Sequence, residues 1–142
     1  MKLGISEILK KADEAKTKAE KKDILQKNST NQLVALLQYC FDPRVKFLLP
    51  EEINYKPNDM TDCENALYTN ARLCYLFIDG GHSSLTQKRR EQLFVNFLEG
   101  LAPADAELMI SIKNKKLPYK TITEDLVRQT FLGILPEKEK HN

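Results

Sequence analysis

The residues best suited to chemistry in this sequence of 142 residues are cations concentrated in one short stretch. The stretch reads Lys113-Asn114-Lys115-Lys116-Leu117-Pro118-Tyr119-Lys120 and contains no acid. Helical periodicity on both sides places this basic turn between two helices, directly before the last one. Lysines supply charge, a helix start supplies free N–H groups, and Thr121 and Thr123 supply hydroxyls. Tyr119 can pack against a sugar or donate to a phosphate. The pattern predicts phosphate binding.

A second stretch, Ser84-Leu85-Thr86-Gln87-Lys88-Arg89-Arg90, has the same design. It follows the glycine pair Gly80-Gly81 and leads hydroxyls and cations into a predicted helix start. Two such helix starts on one face would hold two phosphates across a groove without reading the bases. The predicted DNA contacts are Ser84, Thr86, Lys88, Arg89, Lys113, Lys115, Lys116, Tyr119, Lys120, Thr121 and Thr123.

Charge alone leaves a second interpretation open, because lysine-rich loops between helices often only keep a protein in solution. The formal net charge of +2 does not indicate any class of partner. The lysines near the N-terminus alternate with acids, so we expect them on a solvent-facing, salt-bridged helix surface. They are Lys10, Lys11, Lys16, Lys18, Lys21 and Lys22.

Residues for catalysis or metal binding are not grouped in a useful way. His82 and His141 have no partner at ligand spacing, and adjacent carboxylates on a helix diverge by about 100°. No phosphate-binding glycine loop, nucleophile elbow or dinucleotide turn is present. The odd set of three cysteines, Cys40, Cys63 and Cys74, fits reduced buried thiols. We therefore expect no enzyme, no metal and no small-molecule cofactor.

The elements that must position the two basic stretches all show helical rather than strand periodicity. An apolar stripe from Ile5 through Ala12 continues more thinly to Ala19, and Ser29 with Gln32 resembles a capping box. Asp42-Pro43 predicts a short helix reaching Leu48. A Pro-, Asn- and acid-rich loop is predicted for 50–65 and a helix from Leu67 to Ile78.

Helices in the second half are predicted after Ser84, after Ala102-Pro103, and after Thr121 or Thr123. These elements predict one all-α bundle of six to eight helices over residues 1–136, with a frayed tail at 137–142. Apolar runs are too short for a membrane span and the N-terminus is unlike a signal peptide, so we expect no membrane contact and a cytoplasmic protein.

The order of residues over nearly the whole chain resembles the N-terminal helical DNA-binding domain of ATP-dependent DNA ligases, especially the phage type. The likeness rests on Ile24-Leu25-Gln26-Lys27-Asn28 near the start and on Phe131-Leu132-Gly133-Ile134-Leu135-Pro136-Glu137 at the end. The phrase Leu117-Pro118-Tyr119-Lys120 is similar to one in an uncharacterised family of small proteins from T-even-like tailed phages.

The ligase resemblance implies an all-helical module that lies across the minor groove of double-stranded DNA and binds its phosphates. The matching positions are the turns at 84–90 and 113–123. The ligase nucleotidyltransferase domain and its catalytic Lys-x-Asp-Gly motif are absent, since Phe77-Ile78 precede Asp79-Gly80, so ligase activity is not expected. The acids Glu124 and Asp125, which follow the second turn, weaken a phosphate site there.

Two functions therefore remain in view. The first is a non-catalytic module that binds the sugar-phosphate backbone of double-stranded DNA without strong sequence specificity, accessory to phage DNA metabolism. The alternative is an adaptor or host-takeover factor that docks on a phage or host protein. The acidic loop at 51–64 and the tyrosines Tyr55 and Tyr119 favour this alternative.

Overall fold

The computed structural model describes residues 4–58, 66–82 and 84–135. These residues form an all-α bundle, as predicted, with seven α-helices and one 3₁₀ helix. The α-helices are α1 (Ile5–Glu14), α2 (Lys18–Lys27), α3 (Asn31–Phe41), α4 (Ala66–Asn70), α5 (Gln87–Glu99), α6 (Pro103–Lys113) and α7 (Glu124–Thr130), and the 3₁₀ helix is Ala71–Phe77. Cys63, the acids at 59–65 and the predicted tail lie outside the described residues.

Threonine starts four of the helices. Thr17, Thr30, Thr86 and Thr123 cap α2, α3, α5 and α7, and each side-chain oxygen accepts a backbone N–H three residues later. This bond satisfies one of the N–H groups that have no partner inside the helix. The cap of α3 is thus Thr30 rather than the predicted Ser29, while Thr123 and Pro103 begin their helices as expected.

The core forms where the apolar stripes of the helices meet. Ile5, Ile8, Leu9 and Ala12 of α1 are buried as predicted, but α1 ends at Glu14, so Ala19 belongs to α2 and is exposed. Further buried core residues are Leu25, Leu33, Leu36, Leu37, Leu67, Phe77, Phe94, Leu98, Met109, Ile112 and Val127. No helix in the described part of the chain is long and apolar enough to cross a membrane.

The predicted helix from Asp42 to Leu48 is wrong. The Asp42 carboxylate accepts the Arg44 N–H at 2.8 Å, which closes a side-chain turn instead of a helical one. The chain then extends, and Phe47 forms an isolated antiparallel bridge with Ile78. We call residues 42–51 the connecting segment.

The helix predicted from Leu67 to Ile78 exists, but its second half is a 3₁₀ helix from Ala71 to Phe77. Side chains three positions apart line up in a 3₁₀ helix. Accordingly, Ala71, Cys74 and Phe77 form one buried column, while Tyr75, which the α-helical stripe placed inward, is 45% exposed.

The turn after the 3₁₀ helix needs both of its glycines. Gly80 has φ +84°, a conformation that side chains with a Cβ rarely adopt. A Cβ on Gly81 would lie 1.8 Å from the Tyr75 carbonyl oxygen, which is impossible without moving the backbone. The pair therefore fixes the path of the chain from the 3₁₀ helix to α5.

Candidate nucleic-acid interface

The first turn of α5 presents the clearest cationic surface. Lys88 and Arg89 are exposed, and no described residue pairs with either head group. The Thr86 hydroxyl is already used as a cap, since it accepts the Arg89 N–H at 3.2 Å. Arg90 is buried and faces inward, where its guanidinium donates to Leu76 O, Leu85 O and Gln87 Oε1.

The charge of this turn opposes the helix dipole. The N-terminus of a helix carries partial positive charge, so acids there stabilise and cations destabilise. Acids occupy the first turns of α1, α2, α6 and α7, whereas α5, the longest helix, has none and has cations instead. The start of α5 is consequently an electropositive point without an internal counter-charge.

The start of α5 and the end of α6 lie against the same part of the connecting segment. Gln87 Nε2 donates to Leu48 O at 2.7 Å, and Lys113 Nζ donates to Pro50 O and Glu51 O, both at 2.8 Å. The backbone thus brings one half of each predicted basic stretch to the same end of the bundle.

The ammonium groups of Lys113 and Lys115 are nevertheless turned inward. Lys113 is 5% exposed, and its third donor bonds Asn114 Oδ1 at 2.6 Å. Lys115 Nζ donates to the carbonyl oxygens of Tyr39, Asp42 and Val45 at 2.5, 2.7 and 3.1 Å. A lysine has three N–H donors, so neither head group keeps one for a phosphate. The prediction that these two lysines present their charge to DNA is contrary to their geometry.

Burial also acts on both lysines. Desolvation lowers the pKa of Lys113 and the pKa of Lys115, and neighbouring negative charge opposes this effect only in part. Lys115 has φ +62°, in the left-handed region, and this backbone conformation is part of its inward placement. These two residues anchor the connecting segment to the end of α6.

The second half of the basic turn is bound to α1. Tyr119 Oη donates to Ser6 O at 3.2 Å, so this hydroxyl is not directed at solvent. Thr121 N donates to Asp13 Oδ1 at 2.9 Å, and the Thr121 hydroxyl also donates to this carboxylate. These bonds are the main reason that the pKa of Asp13 is lowered. The aspartate occupies the position that a phosphate would need at Thr121.

Lys21 completes this arrangement and was missed from the sequence, where it was expected on a salt-bridged solvent face. Its ammonium donates to Ala12 O, Asp13 O and Ala15 O at 3.2, 2.9 and 2.9 Å, and to Thr121 Oγ1 at 2.9 Å. Lys21, Lys113 and Lys115 are called the engaged lysines below. Among the ion pairs of the described ranges, Lys27–Asp23 alone involves α2.

Three more predicted residues have simple placements. Ser84 lies beside His82, with Ser84 Oγ and His82 Nδ1 3.3 Å apart. Lys116 and Lys120 are exposed, and no described residue contacts their head groups. Lys46 is a further exposed cation that sequence reasoning did not select, two residues before the Leu48 contact with α5.

Other chemistry finds little support within 4–58, 66–82 and 84–135. No cluster of three or more metal-ligating side chains occurs there. Cys40 and Cys74 are buried free thiols, and burial raises their pKa values to about 11 and about 12. Asp105 is buried at the start of α6, accepts the Ser6 N–H at 3.3 Å, and has a pKa raised mainly by desolvation.

The fold and this surface define a small all-helical protein with an electropositive helix start. Residues 8–119 match the model of a family described as Family of unknown function (DUF6433), and the chain belongs to that family. No curated protein and no solved structure matches the chain.

Proposed function

We propose that the protein binds double-stranded DNA through its sugar-phosphate backbone, with the first turn of α5 as the main contact. The observation that carries the proposal is the pair Lys88 and Arg89. Both side chains are exposed at the positive end of the longest helix, where no acid of the first turn offsets them.

The remaining contacts come from exposed cations near this turn and along the basic turn. Lys116 and Lys120 keep free head groups in the described residues, and Lys46 adds one more in the connecting segment. Ser84 and the first N–H groups of α5 can donate to phosphate oxygens. Because these groups meet phosphates rather than base edges, binding is independent of sequence.

Four of the residues first predicted as contacts support the surface instead. Lys113, Lys115, Tyr119 and Thr121 hold the connecting segment and α1 in place by hydrogen bonds. Thr86 and Thr123 cap α5 and α7, so their hydroxyl oxygens accept backbone N–H groups. The binding residues are therefore fewer than the sequence suggested.

Fluorescence anisotropy with a labelled duplex of mixed sequence, titrated over a range of salt concentrations, tests the proposal. We expect a Kd of roughly 10⁻⁶–10⁻⁴ M at physiological salt and a linear log–log salt dependence. The double variant Lys88→Ala/Arg89→Ala should reduce the magnitude of the slope by about 1.8, since each phosphate contact contributes about 0.9.

The matched control is Lys10→Ala/Lys11→Ala, which removes the same charge from exposed positions on α1. This variant should keep the slope of the unchanged protein. Equal weakening by both double variants would mean non-specific attraction without a site. Absence of binding at low salt would reject the function altogether.

A further inference from the structure

An apolar groove runs between the 3₁₀ helix and α5. The two helices run in opposite directions, because Arg90 Nε at the start of α5 donates to Leu76 O at the end of the 3₁₀ helix. One wall consists of Asn70, Leu73 and Leu76, and the other of Leu93, Asn96 and Gly100. The groove has a volume of about 250 Å³.

The wall on the 3₁₀ side is one of the three columns that its period produces. Asn70, Leu73 and Leu76 are spaced by three residues and are all half-buried. The floor is closed by Phe77 and Phe97, whose ring centroids are 5.6 Å apart. The groove thus exposes leucine side chains to solvent above a filled aromatic floor.

The size of the groove favours a protein ligand. Sites that bury a drug-sized molecule usually have about 300–1,000 Å³, somewhat more than this groove. Anchor side chains of a partner helix, by contrast, insert into small apolar depressions between two helices.

Gly100 keeps one end of the groove open. Its φ of −91° suits any residue, so the backbone does not require glycine. A Cβ there would meet only Phe97 O at 3.7 Å and Asn96 O at 3.8 Å, both ordinary contact distances. Neither conformation nor packing in the described structure explains this glycine, whereas a larger side chain would enter the groove.

The charges beside the groove are positive. Arg89 lies one helical turn before Leu93 on the same side of α5, and Arg72 is exposed next to Leu73. No described residue pairs with either guanidinium, and no carboxylate is among the described residues that line the groove. A complementary ligand therefore combines apolar side chains with acids.

We propose that the groove between the 3₁₀ helix and α5 binds an acidic amphipathic helix of another protein. Its apolar side chains insert between Leu73, Leu76 and Leu93, and its carboxylates pair with Arg72 and Arg89. This role goes beyond backbone binding of DNA and does not depend on it.

Selection from a displayed random-peptide library, with the full chain as bait and the Gly100→Leu variant for subtraction, tests the proposal. Enriched peptides should carry apolar residues three or four positions apart, flanked by Asp or Glu. Fluorescence polarisation with an enriched peptide should show binding weakened by about tenfold or more in Gly100→Leu.

Val95→Leu is the matched control, because it adds bulk on another face of α5 and should leave the affinity unchanged. Circular dichroism should show that Gly100→Leu remains folded. Arg72→Ala should also weaken the peptide, and its effect should shrink at high salt.

Three results would overturn the proposal. They are enrichment of peptides without acids, equal binding to Gly100→Leu, and concentration-dependent self-association that Gly100→Leu abolishes, which would assign the groove to a second copy. The DNA proposal is read separately, since Gly100→Leu should leave duplex binding unchanged while Lys88→Ala weakens the duplex alone.

Discussion

Lysines in two regions of this molecule behave in opposite ways. Each engaged lysine, such as Lys115, donates to at least three oxygen atoms of the protein itself. Lys88, in the first turn of α5, has no partner among the described residues. Equal residue types with similar sequence surroundings therefore give a structural anchor in one region and an open charge in the other.

The available backbone groups explain the difference. The last carbonyl groups of a helix have no partner inside it, and they attract donors. Lys21 reaches such carbonyls at the end of α1, and Lys115 reaches them at the end of α3. The start of α5 has free N–H groups instead, so a nearby lysine finds no acceptor and stays in solvent.

Lys115→Met should give the largest effect and would break the comparison if it did not. The change keeps the aliphatic stem but leaves three carbonyl oxygens without their donor, so we expect a loss of about 2–3 kcal/mol in the free energy of unfolding. Urea denaturation measures this value. Lys88→Met is the control and should stay within about 0.5 kcal/mol of the unchanged protein.

Lys115→Gly separates the hydrogen bonds from the backbone. Glycine adopts the left-handed φ of +62° without strain, so this variant should regain about 1 kcal/mol relative to Lys115→Met. Equal stability of the two variants would show that the backbone conformation costs nothing here.

Lys113→Met should have the next largest effect, a loss of about 1.5–2 kcal/mol, because Pro50 O and Glu51 O lose a charged donor. Hydrogen exchange should show faster opening of the connecting segment than of α1. Uniform acceleration across both would mean that Lys113 contributes only to global stability.

Lys88→Glu should act in the opposite direction. An acid in the first turn of α5 suits the helix dipole, so stability should rise by about 0.3–1 kcal/mol while affinity for duplex DNA falls. Thermal unfolding and anisotropy measure the two quantities. A loss of stability would show that the turn has a negative counter-charge after all.

Thr121→Val should have the smallest effect, a loss of about 0.5 kcal/mol near neutral pH. The bond from Thr121 lowers the pKa of Asp13 below its usual 3.8, so its contribution is present above that value and disappears as pH falls through the folded-state pKa. The stability difference between the two proteins should therefore shrink in acid. A difference that grows below pH 3.8 would contradict this assignment.

Much of the fold follows from local rules. Apolar spacing identified the buried face of α1, and the threonine and proline signals placed the starts of α6 and α7. The region 42–48 was mispredicted because a helix signal at Asp42-Pro43 competes with a side-chain turn to Arg44 and with long-range contacts to Ile78.

The candidate site was only half accessible from sequence. Lys88 and Arg89 were selected by type and position, and their exposure agrees with that choice. The inward direction of Lys113 and Lys115 depends on carbonyl groups more than 60 residues away, which spacing within one helix does not reveal. An unusual left-handed lysine such as Lys115 likewise has no signature in composition.

The carbonyl groups around the engaged lysines have a chemical consequence. An amine that donates all three protons to backbone oxygen has no lone pair exposed to an acylating reagent. Lys113 and Lys115 should thus resist acetylation in the folded protein, while Lys88, Lys116 and Lys120 react readily. Mass spectrometry of partially acetylated protein would then report the folded state residue by residue, without any ligand.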